Sequence, residues 1–143
     1  MRTFFIFFIS MMIFPGISAC GQSAAGEQQS GVNPESADIV EVYYFHFTRR
    51  CVTCVNVQKA TEKVLKDHYK AELESGTIVY HEINLSDPES REIAQRLGVG
   101  RQSLLVASGD RKYDLTMQGF MLASRDYDQF KTTLEEAIKK VKG

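Results

Sequence analysis

The sequence predicts an α/β domain, a mixed four-stranded sheet with helices on both faces. Three observations predict it. Asp38 to Phe47 is a nearly continuous apolar run with Ile39, Val40, Val42, Tyr43, Tyr44, Phe45 and Phe47, the pattern of a strand buried on both sides. Directly after it the period turns helical, with Val57, Ala60 and Val64 on one stripe and Lys59, Lys63 and Lys66 between them. Strand and helix patterns then alternate until Ser108-Gly109-Asp110, a turn that folds two strands into a hairpin.

In order, the first helix is expected from Cys51 to Gly76, where glycine supplies a left-handed cap. Thr77 to Leu85 is a second strand, carrying Ile78, Val79, Tyr80, Ile83 and Leu85. Ser86-Asp87-Pro88-Glu89 combines a capping residue, a first-turn proline and an early acid, and so starts a short helix. That helix turns Ile93, Ala94 and Leu97 inward and ends at Gly98. Leu104 to Ala107 is the third strand, and Lys112 to Met117 the fourth, antiparallel to it. Gly119 interrupts, and the last helix starts near Ser124 with Tyr127, Phe130, Leu134, Ala137, Ile138 and Val141 on its buried stripe. A right-handed crossover sets the first two strands side by side and parallel. The hairpin completes the sheet.

The domain is preceded by a leader and a tether. Met1-Arg2 is a short positive end, Phe4 to Phe14 is apolar, and Pro15-Gly16 breaks the run. This is the composition of a secretory signal peptide over residues 1–19. The run falls short of the ~20 apolar residues of a membrane span. Ile17-Ser18-Ala19-Cys20 resembles the bacterial lipobox. The resemblance implies that Cys20 is lipidated and anchors the protein to a membrane, with the domain in the extracytoplasmic cell envelope. Residues 20–37 hold the lipidated cysteine and a Gly-, Ser-, Gln- and Glu-rich tether, leaving 38–143 for the domain.

Seventeen basic residues face eighteen acidic ones, and no basic block stands out. Nucleic acid is therefore not expected as a partner. Of three cysteines, Cys20 belongs to the leader, which leaves Cys51 and Cys54 as a self-sufficient pair. They sit three residues apart on a strand-to-helix corner, the arrangement of a redox or soft-metal dithiol. Backbone amides and the helix dipole stabilise a thiolate at Cys51. Arg49 and Arg50 place positive charge beside it. Cys51 is then the outward attacker, and Cys54, one turn inward, the resolving thiol.

This order of elements, with the pair at the end of the first strand, resembles the thioredoxin-like superfamily over roughly Asp38 to Lys142. Leu97-Gly98-Val99, Gly109 and Gly119 resemble its landmarks. More narrowly, Glu41-Val42-Tyr43-Tyr44-Phe45-His46 leading into Arg50-Cys51-x-x-Cys54 is similar to the ArsF-like family, described as a nitrophenyl-compound nitroreductase subunit and associated with arsenic-handling genes. The resemblance implies thiol-disulfide exchange with a redox partner protein, no cofactor, and a monomer. Nothing in the sequence reads as a flavin or nicotinamide site. The resemblance also places Ser103 where the superfamily has a substrate-seating proline, and Phe45 where thioredoxins bury an acid. Ser103 and Gly119 join Arg49 and Arg50 as positions that seat substrate or tune acidity.

Two other readings stand beside exchange. The thiolates suit arsenite, Cu(I) or zinc, but a closed zinc site needs further ligands. His46 is either that extra ligand or a packed strand histidine; His68 and His81 read as surface residues, and Tyr43 and Tyr44 as core. The third reading is a non-catalytic adaptor that uses the fold only to bind a partner near the membrane.

Overall fold

A computed structural model of the chain describes residues 39–143. The leader, Cys20 and the tether lie outside the described residues. The sheet has the order β2-β1-β3-β4. Its central strands are β1 (Val40–His46) and β3 (Ser103–Ser108), and its outer strands are β2 (Ile78–Asn84) and β4 (Arg111–Asp114). β1 pairs parallel with β2 from Val40↔Ile78 to His46↔Asn84. It pairs antiparallel with β3 from Glu41↔Ala107 to Phe45↔Ser103, and the β3–β4 hairpin turns at Gly109, whose φ of 55° lies in the left-handed region glycine tolerates.

Side chains alternate along β1, and the two faces build two cores. Val40, Val42 and Tyr44 face α1 (Val52–His68) and α5 (Tyr127–Lys142), packing with Val57, Val64, Leu65, Phe130, Leu134, Ile138 and Val141. Tyr43 and Phe45 face the other way, with Leu105 and Ala107, against Ala94 of α3 (Arg91–Leu97). The continuous apolar run of the first strand thus has its physical cause: both faces are covered. β4 is exposed at every residue, and its Arg111, Lys112 and Asp114 keep that edge polar. The order is the one the sequence predicts: strand, helix, parallel strand, helix, then a hairpin and a closing helix.

Four expectations are corrected. The first helix does not run unbroken to Gly76; it breaks at Tyr69 and resumes as α2 (Lys70–Ser75), where Gly76 with φ 77° is indeed the cap. A straight helix advances ~100° per residue, so Leu73 would point roughly 160° away from Val57. The break turns Tyr69 and Leu73 back onto the core. The fourth strand stops at Asp114 instead of Met117, and α4 (Thr116–Leu122) follows. There the Asp114 carboxylate accepts the Thr116 amide at 2.8 Å, and the Thr116 hydroxyl accepts the Leu104 amide at 3.1 Å. The last helix starts at Tyr127, capped by Asp126, whose carboxylate accepts the Gln129 amide at 3.0 Å. Gly98, with φ 69°, ends α3 as expected, and a short 3₁₀ turn, Pro88–Ser90, precedes it.

Gly119 does not interrupt a loop; it lies buried inside α4. A Cβ there would stand 3.3 Å from Val57 Cγ1 and 3.4 Å from Leu104 Cδ2. Its missing side chain lets α4 close onto α1 and β3. Gly119→Leu should therefore overpack this contact and cost about 1–3 kcal/mol. The check is a lower urea midpoint at unchanged slope; an unchanged midpoint would mean that the packing relaxes freely.

Candidate functional site

The site forms where β1 stops and α1 begins. The connecting turn is pinned to the loop after β2. The Leu85 amide donates to the His46 carbonyl at 2.7 Å, Asn84 donates to the Thr48 hydroxyl at 3.0 Å, and the Thr48 amide donates to the Ser86 hydroxyl at 3.2 Å. Cys51 is the N-cap of α1, with φ −79° and ψ 165°. Its sulfur accepts the Cys54 backbone amide at 3.4 Å, the position a serine or aspartate oxygen usually fills. This explains the spacing: the cap and the third helical residue are the pair that a capping contact joins.

The two thiols differ in environment. Cys51 is exposed and Cys54 buried, both are free, and their sulfurs are 2.8 Å apart. The Cys54 thiol bonded to it holds Cys51 below the ordinary thiol pKa, assisted by the Cys54 amide. Burial pushes Cys54 up, and the bond to Cys51 pushes it further. When Cys51 ionises, the Cys54 S–H is the donor between them. No acidic residue stands in the first turn of α1 to offset its dipole.

Tyr44, expected only as core, has a second role. It is fully buried, and its hydroxyl donates to the Cys54 carbonyl at 2.6 Å. Burial raises its pKa, the Cys54 charge adding to the effect, so the phenol remains a donor. The one signal in the sequence was a tyrosine in a fully buried run, since a buried hydroxyl needs a partner.

Arg50 is bonded elsewhere than to the dithiol. Its Nη1 meets Glu82 Oε1 at 2.9 Å and also bonds the Gln58 amide oxygen. Arg49 is exposed. His46 is buried and packed, with Nδ1 3.0 Å from the Phe47 carbonyl oxygen and Nε2 3.0 Å from Glu82 Oε1. Both partners are acceptors, and a neutral imidazole has a single N–H, so each tautomer makes one of these two bonds and directs the other nitrogen at an oxygen. No cluster of three or more His, Cys, Asp or Glu side chains fit for a metal occurs among the described residues. His68 and His81 lie outside the site, the former 4.0 Å from Glu135 and the latter stacked on Tyr43. Ser103 begins β3 opposite Phe45, at the same end of the sheet as Cys51; it is buried, and its hydroxyl donates to the Arg101 carbonyl at 3.0 Å. Gly119 touches α1 through Val57, one turn beyond Cys54.

No family model and no curated protein matches the chain. Among solved structures, it is similar to the germline-specific thioredoxin Deadhead of Drosophila melanogaster at 15% identity and TM-score 0.45, over 72% of this chain and 85% of that one. It is similar to a thioredoxin of Trypanosoma brucei brucei at 16% identity and TM-score 0.45, over 75% and 81%. A third likeness, to a malarial protein, has 17% identity and TM-score 0.43 over 69% and 97%.

The opposite shifts of the two thiols give a direct test. In the folded, reduced protein, iodoacetamide at neutral pH should label Cys51 and spare Cys54. The labelling rate of Cys51 should reach half its maximum below ~8.5, the pH of an ordinary thiol, and that of Cys54 in Cys51→Ser above it. Peptide mass spectrometry that finds equal labelling of both would contradict the asymmetry.

Proposed function

We propose that the protein is a membrane-tethered thiol-disulfide exchange protein, with Cys51 as nucleophile and Cys54 as resolving thiol. The observation that carries this reading is the exposed Cys51 sulfur at the start of α1, 2.8 Å from the buried Cys54 thiol. As a reductant, the Cys51 thiolate attacks one sulfur of a substrate disulfide, forming a mixed disulfide and expelling the other sulfur as a thiolate. Cys54 gives up its proton, which the expelled thiolate takes through solvent, and attacks the Cys51 sulfur. The second substrate thiolate leaves, and two electrons have passed from the dithiol to the substrate. The reverse sequence oxidises a substrate dithiol.

Exchange is preferred over soft-ion capture because capture needs donors beyond the two sulfurs, and the His46 ring is directed at the Phe47 carbonyl and Glu82. It is preferred over a silent adaptor because an inert pair has no need of one exposed, acidified thiol. The resemblance to the ArsF-like family directs the exchange toward a partner in arsenic handling. Nothing in the site geometry calls for a nitro-group substrate.

Tethering rests on the leader and Cys20. No helix among the described residues is long and apolar enough to cross a membrane, and a lipid on Cys20 supplies the attachment instead. The reading places the domain outside the cytoplasmic membrane of a bacterial envelope.

Cys54→Ser expressed with its leader should accumulate mixed disulfides that dithiothreitol releases, whereas Cys51→Ser should trap none. If neither variant captures a partner, exchange through Cys51 fails. Separately, radiolabelled palmitate should enter the full chain and be absent from Cys20→Ala, which should move from the membrane to the soluble fraction; unchanged fractionation would remove the lipid anchor.

A further inference from the structure

Glu82 lies on β2 opposite Tyr44 in the parallel register, so both side chains share the face that carries α1. Its carboxylate is the meeting point of three elements. From β1, His46 Nε2 reaches Oε1 at 3.0 Å. From the turn before the cysteines, Arg50 Nη1 reaches the same oxygen at 2.9 Å. From α1, Gln58 Nε2 donates to Oε2 at 2.8 Å, while the Gln58 carbonyl oxygen accepts from Arg50. Gln58 is four residues past Cys54, on the next turn of the helix. Gln58 also donates to Glu62 at 2.8 Å, and Glu62 pairs with Lys66 at 3.2 Å.

Arg50 is the residue directly before Cys51, so its guanidinium is the cation with the shortest tether to that sulfur. Yet among the described residues no hydrogen bond joins the two; the Cys51 sulfur bonds the Cys54 thiol at 2.8 Å and the Cys54 amide at 3.4 Å. A half-exposed guanidinium with no other claim on it would be drawn to a neighbouring thiolate. Here a carboxylate claims it first.

We propose that Glu82 is a positioning residue of the dithiol: its carboxylate, seated by His46, holds the Arg50 guanidinium on Gln58 and off the Cys51 sulfur. This inference rests on the exchange reading for its purpose, but not for its physics. Held in the clamp, Arg50 contributes little to the thiolate, and the acidity of Cys51 comes from the helix start and from Cys54. Released, Arg50 adds a charge-assisted partner for the thiolate form alone. The reduced protein then becomes more stable relative to the disulfide, and the protein a stronger oxidant. Glu82 thereby keeps the pair on the reducing side of what its neighbours permit.

The test is a double-mutant cycle read by the thiolate absorbance of the reduced protein as a function of pH. The proteins are the native chain, Glu82→Gln, Arg50→Gln and the double variant. Glu82→Gln should lower the Cys51 midpoint and raise the thiolate fraction at pH 6 on the order of threefold or more. In the Arg50→Gln background the same change should have almost no effect. Glu82→Thr, whose side chain suits a strand, should act as Glu82→Gln does and serves if the first variant folds poorly. A shift of equal size in both backgrounds overturns the proposal, because Glu82 would then act through its own field. No shift in either background overturns it too, and so does a change in thermal stability alone. The titration needs no disulfide partner. A coupled shift without captured partners would sink the exchange reading and leave the clamp standing; captured partners without the shift would do the reverse.

Discussion

The N-cap of α1 is a sulfur, and the rest of the site depends on that one contact. A helix start leaves several backbone amides without partners, and an oxygen side chain usually takes one of them. Cys51 takes the Cys54 amide instead. A thiol is a poor cap, but a thiolate accepts hydrogen bonds well, so the helix start and the ionised form of Cys51 support one another. The same geometry brings the Cys54 side chain one turn inward and against the Cys51 sulfur. Reactivity and asymmetry therefore follow from where the helix begins.

Fixing that starting point is the work of the surrounding fold. β1 enters at the centre of the sheet, between a parallel and an antiparallel neighbour, and cannot slip without exposing both apolar faces. Hydrogen bonds from the loop after β2 fix the turn that follows. Tyr44 joins the strand to the first turn of α1 through the Cys54 carbonyl, and such a bond contributes about 1 kcal/mol and, more to the point, a defined distance. Gly119 permits α4 to press on the same helix at Val57. The helix start is thus held from the strand below, from the turn before it and from the helix beside it.

Much of this was legible in the sequence because it depends on local chemistry. The uninterrupted run in β1 announced a strand covered on both faces, and Gly76, Gly98 and Gly109 marked turns that need positive φ. The cysteine spacing announced a cap and its third residue. What escaped depends on neighbours distant in the chain. The break at Tyr69 follows from where the core lies relative to the α1 stripe, which no local signal gives. α4 was hidden because Gly119 resembles a breaker; its role shows only when Val57 and Leu104 are seen against it. The pairing of Arg50 with Glu82 joins residues 32 positions apart, and a lone glutamate on an edge strand does not name its partner.

The site is built from opposed influences. The helix start, the Cys54 amide and the Cys54 thiol all draw Cys51 toward the thiolate. Burial of Cys54 draws the second thiol the other way, so the two sulfurs differ in acidity. The guanidinium beside them, which would strengthen the first influence, is occupied by a carboxylate that His46 also holds. Making Cys51 as acidic as possible would not serve a reductant, because a very stable thiolate is both a weaker nucleophile and a better leaving group. For the exchange proposed above, a pair that forms a mixed disulfide and then resolves it needs an intermediate setting. The ring of His46, Glu82, Arg50 and Gln58 supplies a way to reach that setting without altering the helix cap on which the chemistry depends.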